Sequence, residues 1–159
     1  LILEMVSEDN SAMDSQTIYN SIWKPKISIR MYADTLYKHI LNSDDIFIFT
    51  LYYIAMYADN MNIQVNQFNV HRLFLTATVV AHKFWDDNYC YENIHIAEIV
   101  GIKVEELNAM ERDFLRGIDW QLYKLQERVS DDEIIRIAER VTGVNYDTLV
   151  IMSKKNRHV

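Results

Sequence analysis

Apolar residues recur along this chain at three- and four-residue spacing, in segments separated by short polar stretches. That period predicts helices. Residues 29–40 read as a first helix, after a boundary at Pro25. Asn42-Ser43-Asp44-Asp45 stops it and opens a second, with Ser43 as N-cap and two acids in the first turn. This second helix covers residues 44–59, and residues 60–67 form a loop. Asn69 is placed to cap a third helix over residues 70–85. At 100° per residue, Val70, Leu73, Phe74, Ala77, Ala81 and Phe84 share one face, while Leu75 and Val79 lie opposite. A helix apolar nearly all round is one surrounded by others, so the second and third helices are expected at the centre, with the rest packed about them. Asp86-Asp87-Asn88 ends it. A short fourth helix covers residues 92–100 and stops at Gly101. The fifth spans residues 104–119, with Leu107, Met110, Phe114 and Ile118 as its core stripe and Glu105 and Glu106 at its positive end. Ser130-Asp131-Asp132-Glu133 is a capping box for a sixth, closed by Gly143. A short helix ending near Trp23 is expected before Pro25. No linker divides the chain into two domains.

Composition narrows this picture. The 159 residues are ample for one core. Gly101, Gly117 and Gly143 are the only glycines and lie 16 and 26 residues apart, so neither a dinucleotide fingerprint nor a Walker loop can be written. With Pro25 as the single proline, a turn-rich β-sandwich is also disfavoured. The fold class expected is all-α. A net charge of −7 makes nucleic acid a poor partner. Lys154-Lys155-Asn156-Arg157-His158 reads as a solvated tail. The apolar stretch 46–58 is too short to span a bilayer, so no membrane partner is expected. No signal-peptide pattern is visible in a sequence that begins at Leu1. Cys90 is alone, so no internal disulfide can form, which fits a reducing intracellular compartment, nucleus or cytoplasm.

Catalytic equipment is hard to find. Cys90 has His82 and His95 in its neighbourhood, but nothing aligns them as a nucleophile and base. Glu92 and His95 form one E-x-x-H, where a di-iron bundle needs two and further glutamates. The histidines make no H-x-x-x-H pair, and Asp86-Asp87 reads as a helix stop. No metal or cofactor is expected, and the chain reads as a binding module.

Several motifs then point to a family. Pro25-Lys26-Ile27-Ser28-Ile29-x-x-Tyr32 resembles the first-helix signature of a cyclin box, I-S-I-x-x-Y. Asn69-Val70-His71-Arg72-Leu73 is similar to the entry to its third helix, and Ala81-His82-Lys83-Phe84-Trp85-Asp86-Asp87 to the exit. Val100-Gly101-Ile102-x-x-Glu105-Glu106-Leu107-Asn108-x-Met110-Glu111-x-x-Phe114-Leu115 resembles the fifth helix, and Asp119-Trp120-Gln121-Leu122 the stretch just after it. The order and spacing of these fragments is specific, and resembles the phosphate-system cyclins of P-type and U-type. The resemblance implies one cyclin box over residues 25–123, five helices around a central third. Residues 1–24 and 124–159 are then flanking extensions with short helices.

It also implies a non-catalytic subunit that binds and activates a cyclin-dependent Ser/Thr protein kinase, with a further inhibitor or substrate left open. The alternative is a cyclin-fold scaffold that recruits a regulator without activating a kinase. In cyclins the lysine and glutamate matching Lys83 and Glu111 bond backbone groups around the kinase's movable regulatory helix. Residue by residue, Lys83 otherwise reads as a solvated helix end, and Glu111 as an intrahelical partner of Arg112 or Arg116. Leu115 lies one turn beyond Glu111 and off the core stripe, and Val104 sits at a similar angle. There, either a partner or the flanking segments cover it. Phe84 and Asp86 join the expected kinase-binding set by position. The family's second-helix Y-[IL]-D-R is here Tyr53-Ile54-Ala55-Met56, and its substrate-docking M-R-A-I-L is not present. Arg30 then loses its expected neighbour, unless Asp59 substitutes.

Overall fold

A computed structural model of the chain describes residues 17–41, 44–88 and 91–123. Five α-helices make up most of the described part: α1 (Ile29–Leu36), α2 (Asp44–Met61), α3 (Val70–Trp85), α4 (Asn93–Val100) and α5 (Val104–Gly117). No strand occurs among the described residues. The expected order of elements is therefore present, with ends within about a turn of those read from the sequence.

α3 is the hub. Twelve of its sixteen residues are buried, and it packs against α1, α2 and α5. The all-round apolar pattern is the cause, since such a helix has no face to give to water. Phe84 departs from that pattern. It shares the angle of the core face but is 43% exposed; in the last turn of α3 it is Trp85 that α2 takes, through Phe49 and Tyr53.

Local chemistry sets the helix ends. Ser28 caps α1, its Oγ accepting from the Met31 N–H at 3.2 Å. α1 then widens into a π-helical turn at Tyr37–Leu41. Asn69 stands at the N-cap of α3, yet its side chain does not cap the helix. It closes the preceding loop instead: its Oδ1 accepts from Asn66 N at 2.8 Å and its Nδ2 donates to Gln64 O at 2.9 Å. Gly101 ends α4 with φ of 74°, the left-handed conformation that glycine adopts without penalty.

Residues 17–28 run as turns and extended backbone, so the helix expected to end near Trp23 is not there. This segment is nonetheless tied to the core. Tyr19 is fully buried, donates its hydroxyl hydrogen to Met110 O at 2.7 Å, and packs edge-on against Tyr57 and Phe114. Ser21 N–H donates to Phe68 O at 2.8 Å, and Arg72 pairs with Glu106 across α3 and α5. The sixth helix, the Ser43 cap, Cys90 and the flanking helical extensions fall outside the described residues.

α2 and α5 approach each other closely at Tyr57. Tyr57 stacks on Phe114 at 4.9 Å, and a Cβ on Gly117 would lie 2.2 Å from Tyr57 Cε2. Gly117 is thus required by close approach of a ring. Burial pushes the Tyr19 and Tyr57 hydroxyls well above the usual tyrosine range, and the Asp113 carboxylate, which accepts from the Tyr57 hydroxyl at 2.6 Å, adds to it.

Candidate functional site

The last turn of α3 ends in His82, Lys83, Phe84 and Trp85. A cation is favoured there by the carbonyl end of the helix. Lys83 uses that position to reach across to α5. Its Nζ donates to Glu111 Oε1 at 2.7 Å and Oε2 at 2.8 Å. The lysine side chain is 32% exposed and the glutamate 16%. The pair therefore sits at the rim of the core, partly shielded from water but not sealed from it.

Glu111 has a second partner. Asn93, the first residue of α4, donates from Nδ2 to Glu111 Oε2 at 2.6 Å and to Asn108 Oδ1 at 2.7 Å. Three helices thus meet in one polar cluster. Valence counting shows what it can still do. An ammonium has three N–H donors, and Glu111 engages it through two contacts. A carboxylate offers roughly four acceptor positions, and three contacts are made to it here. At least one donor and one acceptor remain for a partner's backbone.

The neighbours of Lys83 are firmly held. Trp85 donates from Nε1 to the Tyr53 hydroxyl at 2.9 Å and stacks on Phe49 at 4.5 Å. The Tyr53 hydroxyl donates in turn to Leu122 O at 2.6 Å. Burial raises its pKa to about 12, against the opposing effect of the Trp85 bond, so it stays protonated and able to donate. Phe84 packs edge-on against Trp85 at 5.0 Å and presents its other side to solvent. Asp86 ends α3. Its backbone N–H donates to His82 O at 3.0 Å, its Oδ1 accepts from Asn88 N at 2.8 Å, and its Oδ2 lies 3.4 Å from His82 Nδ1.

Of the residues that the sequence singles out, Lys83 and Glu111 are brought into direct contact. Phe84 and Asp86 flank them on α3. Leu115 lies one turn after Glu111 on α5, half-buried against the core, with its carbonyl accepting from Trp120 N–H at 2.9 Å. Glu111 does not take Arg112 or Arg116 as its partner in the cluster, because Lys83 and Asn93 fill that place. Sequence reasoning misses Asn93 and Asn108. The usable signal is the i, i+3 relation of Asn108 to Glu111, which puts both on one flank of α5.

The cyclin family profile matches residues 4–122. The chain belongs to the cyclin family. Cyclin-U4-2 of Arabidopsis thaliana is 36% identical over 129 residues, covering 76% of this chain and 59% of that protein. Cyclin-P3-1 of Oryza sativa subsp. japonica is 34% identical over 119 residues, covering 75% of this chain and 50% of its own length. The PHO85 cyclin-like protein psl1 of Schizosaccharomyces pombe is 29% identical over 126 residues, covering 77% of this chain and 51% of its length. The chain spans about half to three fifths of the length of these relatives. They include the U-type and P-type cyclins that the motifs resemble.

In α2, at the place where the cyclin resemblance leads one to expect D-R, Ala55 is buried and Met56 half-buried against the core. Arg30 and Asp59 are exposed, and the first helix is held mainly by apolar packing of Ile29 and Leu36. His71 adds a bond from Nε2 to Ile27 O at 2.9 Å. The Glu92 and His95 side chains are both exposed. Among the described residues, no group of three or more His, Cys, Asp or Glu is placed to hold a metal ion. No described helix is long and apolar enough to cross a membrane.

Proposed function

We propose that this cyclin is a non-catalytic regulatory subunit that binds and activates a cyclin-dependent Ser/Thr protein kinase by contacting its movable regulatory helix. The observation that carries the reading is the Lys83–Glu111 pair, bridging α3 and α5 at the rim with bonding capacity to spare. The ammonium suits the orphan carbonyls of a helix end, and the carboxylate suits free N–H groups. Holding that helix fixes the kinase's own Lys–Glu ion pair, which must be in place for phosphoryl transfer. Phe84, Asp86 and Leu115 extend the surface on either side. Residues 25–123 serve as the single cyclin box, with 1–24 and 124–159 as flanking extensions. The kinase partner puts the work of the chain inside the cell, in nucleus or cytoplasm.

Support also comes from the relatives, one of which is named a PHO85 cyclin-like protein. The interface expected is on the order of 2,000 Å² or more, as in stable signalling complexes. Charges that become desolvated in such an interface leave an unbonded partner when one is removed. Lys83→Ala and Glu111→Ala should therefore each weaken kinase binding by about 2–5 kcal/mol. Titration calorimetry of the purified cyclin against a panel of cyclin-dependent kinases checks this, and unchanged affinity in both variants contradicts it. A kinase that binds but is not accelerated shows the protein to be a recruiting scaffold instead.

A further inference from the structure

We infer that Asn93 is a positioning residue for the kinase contact: its side-chain amide locks the Glu111 carboxylate in the orientation that keeps it paired with Lys83. The inference rests on the kinase-binding reading above. Asn93 is the first residue of α4, so it enters the cluster from a helix that carries neither charge. The two contacts made by its Nδ2 reach two points on one flank of α5, Asn108 Oδ1 at 2.7 Å and Glu111 Oε2 at 2.6 Å. The bond to the carboxylate is charge-assisted and short.

The amide has only one workable orientation. Turned over, it would set its oxygen against the oxygens of both Asn108 and Glu111. In the orientation observed, its own Oδ1 is buried without a hydrogen-bond partner. A buried, unpaired acceptor is costly, so the side chain is not placed by its own satisfaction. It is placed where both donors serve α5. Without that clamp, Glu111 is a side chain at the rim whose hold on Lys83 rests on the ion pair alone.

The test uses Asn93→Ala and Asn93→Asp in the full chain, read first without any kinase. An ammonium held in an ion pair gives a sharp nitrogen-15 NMR signal, so Lys83 reports directly on the pair. The expected result is that the signal broadens in Asn93→Ala while the melting temperature barely moves. Asn93→Asp keeps the shape and suits the start of α4, yet replaces the donor by a charge facing Glu111. It should also lose the signal, and it serves if the alanine variant folds poorly. Kinase affinity should fall about tenfold in Asn93→Ala, with no further fall when the same change is made in a Glu111→Ala background. A Lys83 signal that persists in both variants, or an affinity loss of equal size in both backgrounds, overturns the inference. Normal kinase binding by Lys83→Ala and Glu111→Ala, alongside a changed free-protein spectrum, instead overturns the kinase reading and leaves the hold of Asn93 on Glu111 standing.

Discussion

On its inner face α5 buries Leu107, Met110, Phe114 and Gly117, and there Tyr19 meets Met110 and Phe114 while Tyr57 meets Phe114 and Gly117. On its outer flank the same helix presents Asn108 and Glu111 to Asn93 and Lys83. The inner seam is made of rings and a missing side chain. Its Tyr19 and Tyr57 hydroxyls each donate to an acceptor on α5. The outer seam is made of charges and amides that keep bonding capacity. The first region holds the fold and tolerates little change. The second is expected to cost little to the fold when altered, and in the proposed kinase complex its value appears when the partner covers it. One helix thus fixes the geometry between scaffold and proposed contact surface.

That contrast can be broken at several points. The largest effect on stability is expected from Phe114→Ala, which removes the ring stacked on Tyr57 and met edge-on by Tyr19. It should cost about 3–5 kcal/mol in urea unfolding, and a loss below about 1 kcal/mol would show the seam to be less tightly packed than described. Gly117→Ala should cost about 1–3 kcal/mol, since the new methyl collides with the Tyr57 ring. A variant as stable as the parent would mean that the ring can step aside.

Alkali tests the two seam tyrosines together with Tyr53, the partner of Trp85. The Tyr19, Tyr53 and Tyr57 hydroxyls all titrate above the ordinary tyrosine value of 10.0 in the folded chain. The unfolded chain loses these protons first, so stability is full below about pH 10 and falls as pH rises toward about 12. Tyr53→Phe should blunt that fall in unfolding midpoints. For the outer seam, Lys83→Ala should change the stability of the free chain by only about 0–1 kcal/mol. A greater loss would make the pair a fold-holding element first. The smallest effect is expected at His71, whose burial lowers its pKa below the ordinary histidine value of 6.5. Its folded state prefers the neutral ring, so stability is full above about pH 6.5 and declines as the pH falls from there. His71→Gln should flatten that decline.

The helices are well legible in the sequence because their information is local and repetitive. The limits of α3 can be read from Asn69 and from Asp86-Asp87-Asn88, and the α5 stripe of Leu107, Met110, Phe114 and Ile118 from period. Gly101 announces its helix end by its conformational freedom. Tyr19 is not legible. It sits in an irregular segment with no period, and its anchor, Met110 O, is 91 residues away. Phe84 misleads because period gives an angle and not which side chain of the last turn a neighbouring helix takes, and α2 takes Trp85. Lys83 and Glu111 stand out through family likeness, as two separate contacts. Their bond to each other spans 28 residues, and no spacing rule covers that. Asn93 is hidden for the same reason, inside an E-x-x-H whose spacing speaks only of metals. Asn69 shows the limit of cap rules, since the right residue at the right place spends its side chain on the loop.

The central claim is that the Lys83–Glu111 pair is where a cyclin-dependent kinase is bound and switched on. The most direct measurement is the phosphorylation rate of purified cyclin-dependent kinases, titrated with the wild-type chain and with a Lys83→Ala/Glu111→Ala double variant of matched stability. The account predicts that at least one kinase is accelerated by the wild type, and that the double variant needs far higher concentration or fails to activate it. Equal activation by both proteins would contradict it.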